Sequence, residues 1–126
     1  MRRPTILVVD DDRAIQELLN ELLREAGYEV RSACSLAAAR EVIRQQRPDV
    51  LILDVRLPDG NGLDLCAQLQ HDPATLDLPV LVLSSLAHGS DFVAQGLDRG
   101  GYDVLAKPFV NEELLARVHT LVRLRR

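Results

Sequence analysis

Short apolar runs alternate with segments of helical periodicity along the whole chain. The runs lie at residues 5–9, 28–33, 50–53, 79–83 and 103–106. Runs of this length that are purely aliphatic, as at 50–53, are typical of strands buried on both faces, which occur in parallel sheets. The longer intervening segments carry apolar residues at helical spacing and end in glycine, proline or polar residues. The alternation therefore predicts an α/β fold.

Five helices are expected between and after these strands. We predict them at about residues 13–26, 36–46, 62–70, 90–99 and 111–126, with N-caps at Asp12, Ser35 and Asn111. Five parallel strands joined in this way form a sheet with helices on both faces. Of the orders common in such sheets we expect the flavodoxin-like order 2-1-3-4-5, by analogy with known examples. Such sheets bind their ligands at the carboxyl ends of the strands, near the switch in strand order.

Length and composition narrow the class of protein further. The chain has 126 residues, which suits one domain with its own core, either standing alone or forming the N-terminal or an internal part of a longer protein. The net charge of −4 argues against nucleic acid as the main partner. No apolar run is long enough for a signal peptide or a membrane span, so we expect a cytoplasmic protein. Cys34 and Cys66 have neither disulfide nor metal-site spacing, and we interpret them as buried or half-buried thiols.

Polar residues follow four of the predicted strands at the edge where ligands bind. They are Asp10, Asp11 and Asp12 after the first strand, Asp54 after the third, Ser84 and Ser85 after the fourth, and Lys107 after the fifth. The first and third strands are neighbours in the predicted order, so their carboxylates should crowd together and require a cation. Oxygen ligands alone favour Mg²⁺ or Mn²⁺. With the charge of Lys107 and the hydroxyl of Ser84 beside it, the site is suited to phosphoryl transfer.

Each of these residues also has a purely structural interpretation. A single acid after a strand is often a helix cap, as we expect for Asp12. The Ser84 hydroxyl could satisfy a local backbone group. Capping does not explain why all of them fall at one end of one sheet, so we favour a functional site.

At these positions the sequence resembles the response-regulator receiver domains of two-component signalling, over nearly its whole length. Asp10 and Asp11 match the acidic pair of that family, and residues 54–58 match its phosphoacceptor motif, with Gly62 as the glycine that begins the third helix. Residues 78–85 match its fourth strand and place Ser84 at the hydroxyl position. Residues 107–109 match the lysine–proline signature, whose peptide bond the family usually holds in cis.

The resemblance implies a role for each site residue. Asp54 would accept a phosphoryl group from the phosphohistidine of a sensor kinase or phosphotransfer protein, without turnover as an enzyme. The metal would be held by the carboxylates of Asp11 and Asp54 and by the backbone carbonyl of Arg56, while Asp10 would act mainly through water. Lys107 would pair with Asp54 and then with the phosphoryl group, to which Ser84 would donate a hydrogen bond. The resulting conformational switch would control an output domain or effector, and a homodimer could form through the fourth helix, fifth strand and fifth helix.

The sequence departs from the family pattern at three positions. Val104 occupies the strand-five position of the usual aromatic residue, and Tyr102 lies two residues earlier. Since the χ1 angle of valine is stiff, we expect output to rely on backbone movement of the strand-four loop and the fourth helix. Arg56 and Leu86 occupy the two positions that tune hydrolysis in the family, and neither offers a group that activates water. They therefore predict slow autodephosphorylation.

Three alternatives remain open at this point. The first is a degenerate receiver that binds partners without being phosphorylated. The second is a phosphatase of the haloacid-dehalogenase type, which requires a second acid where Arg56 stands. The third is a nucleotide-binding Rossmann-like domain, but neither G-x-G-x-x-G nor G-x-x-x-x-G-K-[ST] follows any predicted strand.

Overall fold

The computed structural model describes residues 2–85 and 102–124. Its strands are β1 (Thr5–Val9), β2 (Glu29–Ala33), β3 (Val50–Asp54), β4 (Arg56–Leu57), β5 (Gly60–Asn61), β6 (Val80–Ser84) and β7 (Tyr102–Ala106). Its helices are α1 (Arg13–Glu25), α2 (Leu36–Gln45), α3 (Gly62–Gln70) and α4 (Asn111–Leu124).

Five of the strands form one parallel sheet in the order β2-β1-β3-β6-β7. The predicted five-stranded parallel sheet is therefore confirmed, but its strand numbering was wrong. The strands β4 and β5 form a separate antiparallel pair directly after β3, so the last two strands of the sheet are the sixth and seventh in the chain. The sequence carries no strand signal here, because Pro58 and Gly60 are turn formers and each strand has only two residues.

The number of helices also differs from the prediction. Of the five expected helices, four lie in the part of the chain that the structure describes. The fifth, predicted at residues 90–99, lies outside the described residues. Within the described ranges, no helix is both long and apolar enough to cross a membrane.

Two buried clusters cover the two faces of the sheet, because side chains alternate along each strand. On one face, Leu7 and Val9 of β1 pack with buried residues of α2 and α3. On the other face, Ile6 and Val8 pack with buried residues of α1 and α4. Helices thus cover both faces, as predicted, and the polar residues that follow the strands are confined to the edge of the sheet.

Two of the three predicted N-caps, Asp12 and Ser35, are confirmed. Asn111 is instead the first residue of α4, where the backbone N–H of Leu114 donates to the carbonyl of Val110. The carboxylate of Asp12 accepts from the backbone N–H groups of Ala14 and Ile15 at the start of α1. Ser35 caps α2 through its hydroxyl. Gly27 follows α1 with φ at +98°, a conformation that residues with a Cβ rarely adopt. Of the two cysteines, Cys66 is buried as expected, whereas Cys34 is exposed because it follows the edge strand β2.

Candidate functional site

Three carboxylates meet at the carboxyl edge of β1 and β3. The two strands pair in parallel with Val9 opposite Leu53, so Asp10 and Asp54 follow at adjacent positions. One carboxylate oxygen from each of Asp10, Asp11 and Asp54 lies within 4.8 Å of the others. The structure thus brings together the acids that the sequence predicted to meet.

Asp10 is the most enclosed of the three acids and is held at both carboxylate oxygens. Its side chain is 2% exposed. Oδ1 accepts from the backbone N–H of Asp12 at 2.9 Å, and Oδ2 accepts from Nζ of Lys107 at 3.0 Å. A carboxylate oxygen can accept more than one hydrogen bond, so both oxygens of Asp10 keep the capacity to accept from water as well.

Lys107 lies between two carboxylates. Its backbone N–H donates to the carbonyl of Ser84 at 3.0 Å, which fixes the start of the side chain beside the end of β6. Nζ lies 3.0 Å from Oδ2 of Asp10 and 3.3 Å from Oδ2 of Asp54. The ion pair of Lys107 with Asp54 is the one that the sequence predicted, and the structure shows that the ammonium is shared with Asp10, to which it lies nearer. The peptide bond to Pro108 is cis, as predicted.

The environment of Asp54 disfavours its charged form. Burial raises the pKa of the Asp54 carboxyl, and the negative charge of Asp10 raises it further. The charge and hydrogen bond of Lys107 and a hydrogen bond from the backbone of Arg56 oppose this shift without cancelling it. The pKa of Lys107 is raised as well: burial lowers it, but the hydrogen bonds and charges of Asp10 and Asp54 outweigh the burial.

The donor set fits a hard divalent cation. Three ionised carboxylates and one ammonium would leave two negative charges without a counter-charge in a partly enclosed site. Carboxylate and carbonyl oxygens are the ligands that Mg²⁺ and Mn²⁺ prefer. Arg56 is an exposed residue of β4, two residues after Asp54, and its backbone donates a hydrogen bond to the Asp54 carboxyl.

Ser84 lies at the same edge, at the end of the neighbouring strand. It is the last residue of β6, is 1% exposed, and follows Leu83, which pairs with Asp54. Val104 of β7 pairs with Val82 and is partly buried against the cluster that includes α2 and α3. The side chain of Tyr102 and the predicted positions Leu86 and 90–99 lie outside the described residues.

Two side chains, those of Gln16 and Asp59, make long-range hydrogen bonds that the sequence did not indicate. The side-chain amide of Gln16 donates to the carbonyls of Asp10 and Ala33 at 2.6 and 2.9 Å, and so ties α1 to the ends of β1 and β2. Asp59 accepts from two backbone N–H groups of α2. Gln16 looks like an ordinary helix-surface residue and Asp59 like a turn residue, so neither carries a signal that composition or spacing reveals.

The comparison with known families decides what kind of domain carries this site. Residues 6–119 match the family model of the response regulator receiver domain. The chain belongs to that family. The assignment predicted from the four motifs is confirmed.

Individual relatives agree with this assignment. The receiver domain is 42% identical over 120 residues to the DNA-binding dual master transcriptional regulator RpaA of Synechocystis, with 95% of this chain and 49% of RpaA covered. It is 48% identical over 118 residues to response regulator MprA of Mycobacterium tuberculosis, with 94% of this chain and 50% of MprA covered. The chain thus spans about half the length of these curated relatives.

Solved structures show the same architecture over nearly the whole chain. The non-phosphorylated HemR receiver domain of Leptospira biflexa has a TM-score of 0.88 at 35% identity, with 98% of each chain covered. The receiver domain of the Francisella response regulator 1452 has a TM-score of 0.87 at 30% identity, with 96% of this chain and 98% of that one covered.

Proposed function

We propose that this receiver domain accepts a phosphoryl group on Asp54 from the phosphohistidine of a sensor histidine kinase or phosphotransfer protein, in a Mg²⁺-dependent reaction. One observation carries the proposal: the Asp54 carboxylate lies within 3.3 Å of the Lys107 ammonium while sharing a cluster of oxygens with Asp10 and Asp11. A nucleophile, a fixed cation and a set of oxygen ligands for a second cation therefore lie side by side. Phosphoryl transfer requires these groups together.

The transfer step can be written from these residues. A carboxylate oxygen of Asp54 attacks phosphorus as the bond between phosphorus and the imidazole nitrogen breaks. The bonding electron pair stays on the imidazole, which takes up a proton from solvent. Lys107 is close enough to follow the charge from the carboxylate to a phosphoryl oxygen. No separate base is needed, because the nucleophile reacts as the carboxylate.

The cation would be held by carboxylate oxygens of Asp11 and Asp54 and by the backbone carbonyl of Arg56, with Asp10 acting through water. When bound, Mg²⁺ would neutralise charge on the phosphoryl oxygens, and Mn²⁺ would serve in the same way. Asp54 would then be kept ionised despite its enclosure, because a neighbouring cation favours the charged form of a carboxyl.

Ser84 would provide the link from chemistry to conformation. Its hydroxyl would donate to a phosphoryl oxygen, a charge-assisted hydrogen bond worth about 1.5–3 kcal/mol. Carrying a two-state equilibrium from 1:99 to 99:1 takes about 5.5 kcal/mol, so Ser84 would have to act together with Lys107. Because Val104 cannot swing as an aromatic ring does, we propose that the movement lies in the backbone after β6.

The wider role follows from the same proposal. The domain would act as a phosphoacceptor in the cytoplasm, without turnover as an enzyme, and its two states would control an output domain or effector. RpaA, by its name, binds DNA. We propose a DNA-binding output for the whole protein and no direct contact between the receiver domain and nucleic acid. We also propose the predicted homodimer, formed through residues 90–99, β7 and α4.

Incubation with a small acyl phosphate and Mg²⁺, followed by intact-mass measurement, tests the proposal. We expect a mass gain of one phosphoryl group in the wild type, none in Asp54→Asn, and none when Mg²⁺ is removed with a chelator. Asp72→Asn, which changes an exposed aspartate after α3, should gain the group as the wild type does. A folded wild type that gains no mass would instead support the binding module that acts without phosphorylation.

A further inference from the structure

The segment that follows Asp54 reaches across to the start of α2. At the tip of the hairpin formed by β4 and β5, Asp59 places one carboxylate oxygen 2.8 Å from the backbone nitrogen of Leu36 and the other 3.0 Å from that of Ala37. Ser35 caps the next N–H group, that of Ala38. Two of the three satisfied N–H groups in this turn are therefore bound by a residue that lies more than twenty positions away in sequence.

Apolar contacts reinforce the same junction. Leu57 of β4 and Leu36 of α2 are both buried in one cluster. A Cβ built on Gly60 would come within 2.9 Å of Cδ1 of Leu36, so the hairpin backbone lies directly against that side chain. The tip of the hairpin is thus fixed to α2 by two charge-assisted hydrogen bonds and by packing.

The base of the hairpin is fixed to the sheet instead. The backbone N–H of Gly62 donates to the carbonyl of Val55 at 2.7 Å, and the N–H of Val55 donates to the carbonyl of Leu83 at 3.2 Å. Arg56 lies between base and tip, paired with Asn61 across the hairpin. Its backbone is therefore held from both ends.

We propose that Asp59 is a positioning residue for the backbone carbonyl of Arg56, and that it couples the cation site at Asp54 to the first turn of α2. The inference rests on the proposed function, in which that carbonyl binds the divalent ion. Losing the anchor at the tip would let the hairpin pivot about its base and move Arg56 relative to Asp54. Because coupling between two sites is reciprocal, an ion that draws on the Arg56 carbonyl also steadies the hydrogen bonds at the start of α2.

The charge of Asp59 suits this role. The hydrogen bonds from Leu36 and Ala37 hold the pKa of the Asp59 carboxyl below its ordinary value, so the group is ionised at neutral pH. A negative charge is also favoured at the N-terminal end of a helix. An asparagine at this position would keep one oxygen acceptor, whereas an alanine would keep none.

Two measurements test the coupling. The first is the affinity for Mn²⁺, followed by electron paramagnetic resonance, in the wild type and in Asp59→Ala, Asp59→Asn and Asp72→Ala. Loss of a group that supports a metal ligand commonly weakens binding 10–100-fold, and since Asp59 acts at a distance along the hairpin we expect about 3–10-fold for Asp59→Ala and less for Asp59→Asn. Asp72→Ala is the matched control, because Asp72 is an exposed aspartate that accepts one backbone N–H, from Ala74, away from the site.

The second measurement is hydrogen exchange at the amides of Leu36 and Ala37, with and without Mg²⁺. In the wild type, Mg²⁺ should slow exchange at both amides by about 3–10-fold, the same range as that expected for the loss of Mn²⁺ affinity, because coupling is reciprocal. This readout needs no variant, so it decides the matter even if Asp59→Ala fails to fold.

The outcomes separate the inference from the proposed function. The coupling would be overturned, and the phosphoacceptor function left intact, if the wild type binds Mn²⁺ but two results are negative. These are that Mg²⁺ does not change exchange at the α2 amides and that Asp59→Ala does not weaken Mn²⁺ binding. A wild type that neither binds Mn²⁺ nor gains a phosphoryl group would overturn both. Equal weakening by Asp72→Ala would show a general effect of charge and would also overturn the coupling.

Discussion

Replacing Gly62 with alanine should cause a clash with the backbone carbonyl of Asp54. Gly62 is the first residue of α3, and a Cβ built on it would lie 2.3 Å from the carbonyl oxygen of Asp54 and 3.1 Å from Cγ of Leu53. Ordinary contact at such a position is 3.4–4 Å, so the oxygen or the helix must move by at least about 1 Å. Both belong to backbone, which cannot yield as the end of a flexible side chain can.

The expected cost follows from this overlap. Overpacking a tightly packed interior costs about 1–3 kcal/mol, and the better helix propensity of alanine returns less than about 1 kcal/mol at the first helical position. A net loss of about 0.5–2.5 kcal/mol should lower the melting temperature by about 2–10 °C in a domain of this size. Circular dichroism measures the shift. Phosphorylation by acyl phosphate should also slow, because the carbonyl that moves belongs to Asp54.

Gly27→Ala is the matched control for this prediction. Gly27 has a positive φ, but a Cβ built on it would meet no atom within 4 Å, so its replacement strains the backbone without a clash. It should cost about 1–2 kcal/mol and leave phosphorylation unchanged. If Gly62→Ala melts within about 1 °C of the wild type and reacts at the same rate, the steric reasoning is wrong.

Three further changes test the electrostatics and the lifetime of the site. Asp54→Asn should stabilise the metal-free domain at about pH 7, because the raised pKa of Asp54 makes its ionisation destabilising. The gain in unfolding free energy should shrink as the pH falls towards the ordinary pKa of aspartate. An equal gain in urea unfolding at about pH 7 and at about pH 4 would contradict this. Lys107→Met should destabilise the domain by about 1–3 kcal/mol, which is less than the cost of breaking a fully buried ion pair because the Lys107 side chain is 20% exposed. In the same unfolding assay, Mg²⁺ should restore most of the lost stability. The phosphoryl group on Asp54 should persist for minutes or longer, and Arg56→Ala should not shorten its half-life in a chelator-quenched mass measurement. A half-life of seconds would refute slow hydrolysis. A longer half-life in the variant would show that Arg56 assists the attacking water.

The parts of the molecule that follow from periodicity and capping were predictable from the sequence. The short aliphatic run at 50–53 is typical of a strand buried on both faces, and Asp12 and Ser35 precede their helices as capping residues do. The meeting of Asp10 with Asp54 followed from the parallel pairing of β1 with β3. These features depend on local patterns and on one topological rule.

Other features depend on contacts between residues far apart in the chain, which no local pattern records. The short pair β4 and β5 has too few residues for a strand signal. Asp59 has the sequence context of a turn, and its bond to α2 becomes visible only when the hairpin is placed against that helix. The sharing of Lys107 between two acids was missed because the sequence gives the residues at the edge but not their relative distances.

Because one ammonium binds two carboxylates, modification of Asp54 and binding of a divalent ion should strengthen each other. If Lys107 turns towards a group attached to Asp54, Asp10 gives up one of its two hydrogen bonds while its side chain remains almost fully enclosed. An enclosed anion deprived of its counter-ion attracts another positive charge, here a divalent ion. The modified domain should therefore hold that ion more tightly than the unmodified one, and stripping the ion away should cost the modified domain the greater share of its stability.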